Sequence, residues 1–133
     1  MSWMKVIIIG DDIEKQMVPF KEKEYDGEND SEVDNPNAKW DWYSPWECWQ
    51  HETSIPLKNG KEVANALIQD IDIEKLTSFA LIYKGKWLQK GNMGWCGQSD
   101  TTDESEAAYF LKMRSILKGL PKDTKITLIE AHI

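Results

Sequence analysis

Tryptophan is the residue type with the clearest chemical potential in this sequence. Seven tryptophans occur among 133 residues, and four of them fall within residues 40–49, which read Trp-Asp-Trp-Tyr-Ser-Pro-Trp-Glu-Cys-Trp. An indole ring combines a large apolar surface with one N–H donor, so it stacks on flat ligands and anchors protein interfaces. Completion of a small core is the competing interpretation. The predicted ligand- or partner-binding residues are Trp40, Asp41, Trp42, Tyr43, Trp46, Trp49, Trp95 and His132.

An acidic segment is the second candidate surface. The net charge is -7, and residues 21–35 hold seven acidic residues against two lysines, so the rest of the chain is nearly balanced. An acidic surface repels a phosphate backbone, and we therefore expect no direct binding of nucleic acid. The same surface can occupy the basic groove of a protein that binds nucleic acid. The predicted acidic contact residues are Glu28, Asp30, Glu32 and Asp34.

No residue pattern specifies a catalytic or metal centre. The sequence lacks a nucleophile elbow, and its only arginine, Arg114, lies in a predicted helix with no predicted proximity to the aromatic residues. Four residues could ligate zinc, but free half-buried thiols are the favoured interpretation, because an unpaired cysteine commonly acts as a small hydrophobe. These four are Cys48, His51, Cys96 and His132. We therefore expect binding without turnover, and no cofactor or metal.

The elements that must position these residues form an α+β pattern. Alternating and aromatic runs predict strands at 4–9, 40–43, 78–83, 86–90 and 125–133. A capping-box motif predicts a helix from Asn59 to about Gln69, and a second helix is predicted over 103–118. The simplest arrangement is a single domain, 1–133, with one antiparallel or mixed sheet of about four to five strands and two main helices packed on one face.

The acidic segment is expected to lie outside that framework. Its acids alternate at period two, which would suit a strand, but Gly27, Asn29 and Ser31 between them offer no apolar face to bury. We therefore expect residues 21–39 to form an acidic flexible loop. The longest aliphatic run, Val6–Ile9, is too short for a membrane span or a signal peptide, so we expect a cytoplasmic protein without membrane association.

Three blocks of the sequence resemble a family of small uncharacterised proteins encoded by tailed bacteriophages and prophages. They are Lys-Trp-Asp-Trp-Tyr at 39–43 after an Asn-Pro turn, Met-Gly-Trp at 93–95, and a Leu-Pro turn at 120–121 before a strand that closes in His132 and Ile133. The family usually continues its first block with Gly-Gly-Arg-Trp, whereas residues 46–49 here read Trp-Glu-Cys-Trp. The resemblance implies a phage origin and a location in the host bacterial cell.

Three hypotheses follow for the function. The favoured one is a phage accessory protein that binds a host protein without catalysis, as an anti-CRISPR-like inhibitor of a defence effector that itself binds nucleic acid. A second is a small-molecule binder that sequesters or degrades a nucleotide immune signal in an aromatic pocket, with Asp41, Tyr43 and His132 as polar contacts. The third is a phage structural or assembly protein whose tryptophans belong to the core.

Overall fold

Ten strands and two α-helices make up the regular structure of the residues that are described. The computed structural model describes residues 3–21, 23–26, 31–34, 38–40, 42–44, 55–91 and 102–132. The strands are β1 (Trp3–Ile9), β2 (Lys23–Asp26), β3 (Ser31–Asp34), β4 (Trp42–Ser44), β5 (Ile55–Pro56), β6 (Glu62–Val63), β7 (Asn65–Leu67), β8 (Ala80–Tyr83), β9 (Lys86–Gln89) and β10 (Lys125–His132). The helices are α1 (Ile13–Met17) and α2 (Asp103–Lys118), and short 3-10 turns cover Val18–Phe20 and Ile68–Asp70.

The main sheet is mixed and has the order β4-β10-β1-β8-β9. Strand β1 pairs antiparallel with β10 from Trp3 opposite His132 to Ile9 opposite Ile126, and it pairs in parallel with β8. The other edge of β10 is shared, since β7 pairs with its first three residues and β4 with its last three. The α+β class and the mixed sheet are confirmed, with β7 added to the five strands in the row.

The two helices cover opposite faces of this sheet. Val6 and Ile8 pack in one buried cluster with Met17 of α1, whereas Ile7 packs in another with Met113 and Leu117 of α2. The structure therefore does not show two main helices on one face: of the two predicted helices only α2 forms, and α1, which was not predicted, lies on the opposite face. The sequence did carry a signal against packing on one face, because an uninterrupted aliphatic strand is typical of a sheet that is buried on both faces.

The helix predicted from Asn59 to about Gln69 is also wrong. Asn59 Oδ1 accepts a hydrogen bond from the Lys61 amide at 2.9 Å, and Gly60 adopts a φ of 87°. The apparent capping residue therefore closes a turn between β5 and β6. Strand β7 follows and pairs with β10. Hydrogen bonding to a distant strand outweighs the local helical pattern.

The acidic segment contains regular structure. Strands β2 and β3 pair antiparallel, with Lys23 opposite Asp34 and Tyr25 opposite Glu32, in a two-stranded sheet of their own. The prediction of a loop over 21–39 is therefore wrong for these eight residues. Alternating acids were compatible with a strand, and backbone pairing within a hairpin does not require one face to be apolar. We name β2 and β3 together the acidic hairpin.

Two predictions based on local signals are confirmed, helix α2 and the β8–β9 hairpin. Helix α2 begins and ends at the predicted residues, and its N-terminus is closed by a reciprocal capping box between Thr102 and Ser105. Lys84 and Gly85 have φ angles of 51° and 75°, as a two-residue hairpin turn between β8 and β9 requires. Within α2, Tyr109 is buried and Ala107 is exposed.

Candidate functional site

Trp40 is a core residue. Its side chain is 6% exposed and belongs to the buried cluster of α1 and β1. The indole Nε1 donates a hydrogen bond to the carbonyl oxygen of Met17 at 2.8 Å, so the polar atom of this ring is satisfied inside the protein. Burial and internal bonding explain Trp40 without a ligand. The competing interpretation of the aromatic cluster therefore holds at this position.

The next two aromatic residues lie beside His132. In the pairing of β4 with β10, Trp42 is directly opposite His132 and Tyr43 is opposite Ala131. His132 is also opposite Trp3 of β1, so three strands meet at this end of the sheet. The backbone thus brings Trp42 and His132 together across 90 positions of sequence, whereas Tyr43 falls on the opposite face of the sheet. The remaining predicted binding residues, Asp41, Trp46, Trp49 and Trp95, lie outside the described residues.

The acidic hairpin holds two of the four predicted acidic contacts. Glu32 and Asp34 lie in β3, and Glu28 and Asp30 lie outside the described residues. Strand β2 adds two further acids, Glu24 and Asp26. The hairpin emerges from the core next to Trp40, because Lys21 and Trp40 form a parallel bridge immediately before β2 and before β4. Its base is therefore attached to the α1 face of the sheet.

A groove on the α2 face was not predicted. It has a volume of about 740 Å³ and runs between the segment 68–74 and the C-terminal end of α2, and we name it the α2 groove. Its floor is aliphatic, and Ile68 and Ile71 there are 6% and 1% exposed. Its charged rim consists of Lys58, Asp72, Glu74, Lys118 and Lys122.

The acids of this rim are already neutralised. Glu74 pairs with Lys118 and, at 3.7 Å, with Nε of Arg114, while Asp72 lies 3.8 Å from Nζ of Lys75. The hydrogen bond and the charge of Lys118, with a smaller contribution from Arg114, lower the pKa of the Glu74 carboxyl. Two exposed lysines, Lys58 and Lys122, have no ion-pair partner in the described part of the chain.

The only arginine serves this same structural group. Nη2 of Arg114 donates to the Glu74 carbonyl at 3.3 Å, and its guanidinium lies 5.4 Å from the centre of the Phe110 ring. Lys90 approaches the same ring at 5.9 Å. Arg114 therefore joins α2 to the segment that precedes β8. It holds α2 against that segment and is not a spare anion ligand.

The α2 interface also encloses a pair of hydroxyl groups. The oxygens of Ser78 and Tyr109 are 2.6 Å apart, and Ser78 Oγ donates to Met113 Sδ at 3.6 Å. Ser78 is 3% exposed and Tyr109 6% exposed. Burial raises the pKa of the Tyr109 hydroxyl far above its ordinary value, although the hydrogen bond to Ser78 opposes the change. A general base needs a pKa near the working pH, so this pair is suited to packing.

Neither a metal-binding cluster nor a membrane-spanning helix is found within the described ranges. No group of three or more His, Cys, Asp or Glu residues within the described ranges is placed to hold a metal ion. Cys48, His51 and Cys96 lie outside those ranges. No helix among the described residues is long and apolar enough to cross a membrane.

The α2 groove had no usable sequence signal. Its rim residues come from the turn after β5, the segment before β8, the end of α2 and the turn before β10. Its floor isoleucines, Ile68 and Ile71, lie at the end of the segment for which the sequence predicts a helix that does not form. Only the packing of these separate segments creates the concave surface.

No protein-family model matches the chain, and no curated protein or solved structure is detectably similar to it.

Proposed function

We propose that this chain is a phage-encoded accessory protein that acts by non-catalytic binding, as an inhibitor of a host defence effector that itself binds nucleic acid. The observation that best supports the proposal is the acidic hairpin. Four acids lie in β2 and β3 against one lysine, and the hairpin pairs with itself outside the main sheet. The resemblance of the aromatic block to phage proteins supports the proposed origin.

Strand geometry makes the hairpin a suitable occupant of a phosphate-binding groove. In β2 and in β3 the acids fall at every second residue, which spaces them by roughly 7 Å along each strand. Grooves that bind nucleic acid are lined by Lys and Arg and attract negative charge over several ångströms. A backbone ordered by hairpin pairing presents its charges with a smaller entropic cost than a mobile loop would.

The environment of Arg114 argues against a catalytic function. Cleavage of a phosphorylated or acylated substrate needs a cation or donor at the developing negative charge. The only arginine of the chain is occupied by Glu74 and Phe110 on the α2 face. The aromatic residues beside His132 therefore have no arginine to act with, in agreement with the replacement of the family's arginine by Cys48.

A capture experiment from host lysate tests the proposal. The bait pair is the wild-type chain and a variant with Glu24→Gln, Asp26→Asn, Glu32→Gln and Asp34→Asn. The matched control neutralises the same number of exposed acids elsewhere, at Glu62, Asp70, Glu104 and Asp123. We expect the wild type and the control to retain a nucleic-acid-binding protein that the hairpin variant loses.

The captured protein must then show competition. Its nucleic-acid binding, measured by fluorescence anisotropy of a labelled oligonucleotide, should fall as the wild-type chain is added, with a strong dependence on salt. Equal capture by all three baits, or capture without any displacement of the oligonucleotide, would contradict the proposal.

A second candidate function rests on the placement of His132. Strands β4 and β10 set Trp42 directly opposite it, so these two positions share one face of the sheet, as an aromatic nucleotide pocket would need, whereas Tyr43 is opposite Ala131 and falls on the other face. Incubation with cyclic and ADP-ribose-type nucleotides, followed by chromatography, tests it. Unaltered nucleotide retained by the protein would support sequestration. Product that disappears with His132→Asn would support degradation, and free, unaltered nucleotide would exclude both.

A further inference from the structure

The strongest feature not used by the proposed function is the α2 groove. It combines a buried aliphatic floor, formed in part by Ile68 and Ile71, with a charged rim on which, among the described residues, only Lys58 and Lys122 lack an ion-pair partner. The rim acids Asp72 and Glu74 each have a cation of their own. An occupant of this groove should therefore be negatively charged and should also carry apolar side chains.

The acidic hairpin of the same chain has this composition. Its acids are interrupted by two apolar residues, Tyr25 in β2 and Val33 in β3. A hairpin is also narrow, since two paired strands are separated by only about 5 Å. The lysine-rimmed groove and the acidic hairpin are therefore complementary in charge, and both contain apolar residues.

One molecule cannot readily join its own two surfaces. The hairpin begins next to Phe20 and Trp40, which pack with α1 on one face of the sheet. The floor of the groove packs with Met113 and Leu117 of α2 on the other face. The sheet separates the base of the hairpin from the groove, so the contact forms between two molecules.

We infer that the α2 groove binds the acidic hairpin of a second copy of this chain. Because the two surfaces differ and lie on opposite faces, the contact is head-to-tail, and each added molecule leaves one hairpin and one groove open. The association competes with any other protein that binds the hairpin. A pool of self-associated chains would then release hairpins when a stronger basic partner is present.

Salt concentration affects two opposing electrostatic terms. The net charge of -7 makes whole molecules repel one another, and this long-range term is screened beyond about 8 Å at roughly 0.15 M salt. The contacts of Lys58 and Lys122 with hairpin carboxylates act at shorter range and are less affected. Association is therefore best sought near this ionic strength, and should weaken toward about 1 M salt.

Sedimentation velocity of the full chain over a wide concentration range gives the first test. The expected result is an average mass that rises continuously with concentration. A variant with Lys58→Glu and Lys122→Glu should remain a monomer at every concentration. A control with Lys15→Glu and Lys86→Glu carries the same change of charge at two exposed lysines outside the groove, and it should behave more like the wild type.

Mixing two charge-reversed chains gives the decisive test. The second chain carries Glu24→Lys and Asp26→Lys, which lie opposite Val33 and Ser31, so no lysine is placed opposite another. Each reversed chain alone should be monomeric, because like charges meet at its groove and hairpin. Their mixture should associate, since an intact hairpin then meets an intact groove and a reversed hairpin meets a reversed groove.

Several results would overturn the inference. A wild-type chain that is monomeric throughout excludes it, and so does a groove variant that associates as the wild type does. Reversed chains that remain monomeric on mixing, with melting temperatures equal to that of the wild type, also exclude it. A failure of self-association can be distinguished from a failure of the proposed function. The Lys58/Lys122 variant retains the acidic hairpin, so it should still capture the host protein.

Discussion

The two faces of the sheet are covered in different ways. On one face, α2 provides sixteen consecutive helical residues and buries Tyr109, Met113 and Leu117 from a single element. On the other face, α1 has only five residues, and Trp40 from a separate segment completes the cluster. A long amphipathic helix covers a sheet by its own periodicity, whereas a short one needs a large side chain from elsewhere.

The two faces also differ in how their buried polar side chains are hydrogen-bonded. The α2 face contains a side-chain pair, Ser78 and Tyr109, whose hydroxyls bond to each other. The α1 face has a side chain bonded to backbone, since the Trp40 indole reaches the Met17 carbonyl at the end of α1. Trp40 thus fills the core on the α1 face and satisfies the last carbonyl group of α1.

The largest expected effect is on the α1 face. Trp40→Ala should destabilise the protein by about 3–5 kcal/mol, because it removes a buried aromatic ring and leaves the Met17 carbonyl without its donor. That loss is enough to unfold a marginal domain. Urea unfolding followed by circular dichroism measures it. Val18→Ala, at a 48% exposed position on the same side, is the control and should cost less than about 0.5 kcal/mol. A folded Trp40→Ala protein with wild-type stability would remove Trp40 from the core.

On the α2 face, the expected loss from a comparable truncation is about 2–5 kcal/mol. Leu117→Ala empties a fully buried position at the end of α2, where neighbouring elements can relax only in part. The same urea measurement applies, with Leu111→Ala as control, because Leu111 on the same helix is 73% exposed. Equal stability of the two leucine variants would mean that α2 does not cover the sheet as described.

The hydroxyl pair should contribute less than a core side chain. Tyr109→Phe leaves Ser78 with only the weak sulfur acceptor of Met113, for an expected cost of about 1 kcal/mol. Ser78→Ala in the Tyr109→Phe background should add little, since the hydrogen bond is already absent. Strictly additive losses in this double-mutant cycle would show that the two hydroxyls do not interact.

The same pair makes the free energy of unfolding depend on pH in the alkaline range. In the unfolded chain Tyr109 ionises near about pH 10, while burial raises its pKa in the folded protein, so the folded state holds the proton longer. The contribution of Tyr109 is therefore complete below about pH 10 and is lost as the pH rises above it. Tyr109→Phe should have a flatter stability profile above pH 10. If the stability of the wild type and of Tyr109→Phe fell in parallel above pH 10, the predicted contribution of Tyr109 would be contradicted.

The smallest expected effect concerns the exposed ion pairs of Glu74. Its pKa is lowered by Lys118 and Arg114, so its contribution is present above about pH 4.3 and is lost as the pH falls below that value. Glu74→Gln should lower the melting temperature slightly at neutral pH and not at all in strong acid. The difference should shrink in high salt, because surface pairs are screened. A salt-independent difference would indicate a packing role for this side chain.

The sequence by itself determined the elements that are stabilised by interactions between neighbouring residues. The capping residues and apolar stripe of α2 lie within the helix itself, and the Lys84-Gly85 turn and its flanking strands lie within one hairpin. The absence of any apolar face in the acidic segment did predict its separation from the core sheet, although its pairing into β2 and β3 was missed. These features depend on interactions between residues that are close in sequence.

Tertiary structure alone decided the features that need distant partners. Residues 59–69 have a helical pattern, but pairing of β7 with β10 gives the backbone a better set of hydrogen bonds. Trp40 could be a surface anchor or a core residue by composition, and only the position of the Met17 carbonyl distinguishes the two. The approach of His132 to Trp42 and the α2 groove both depend on contacts across long stretches of chain. Single-sequence patterns record which side chains are available, whereas the free energy of such contacts depends on which segments meet.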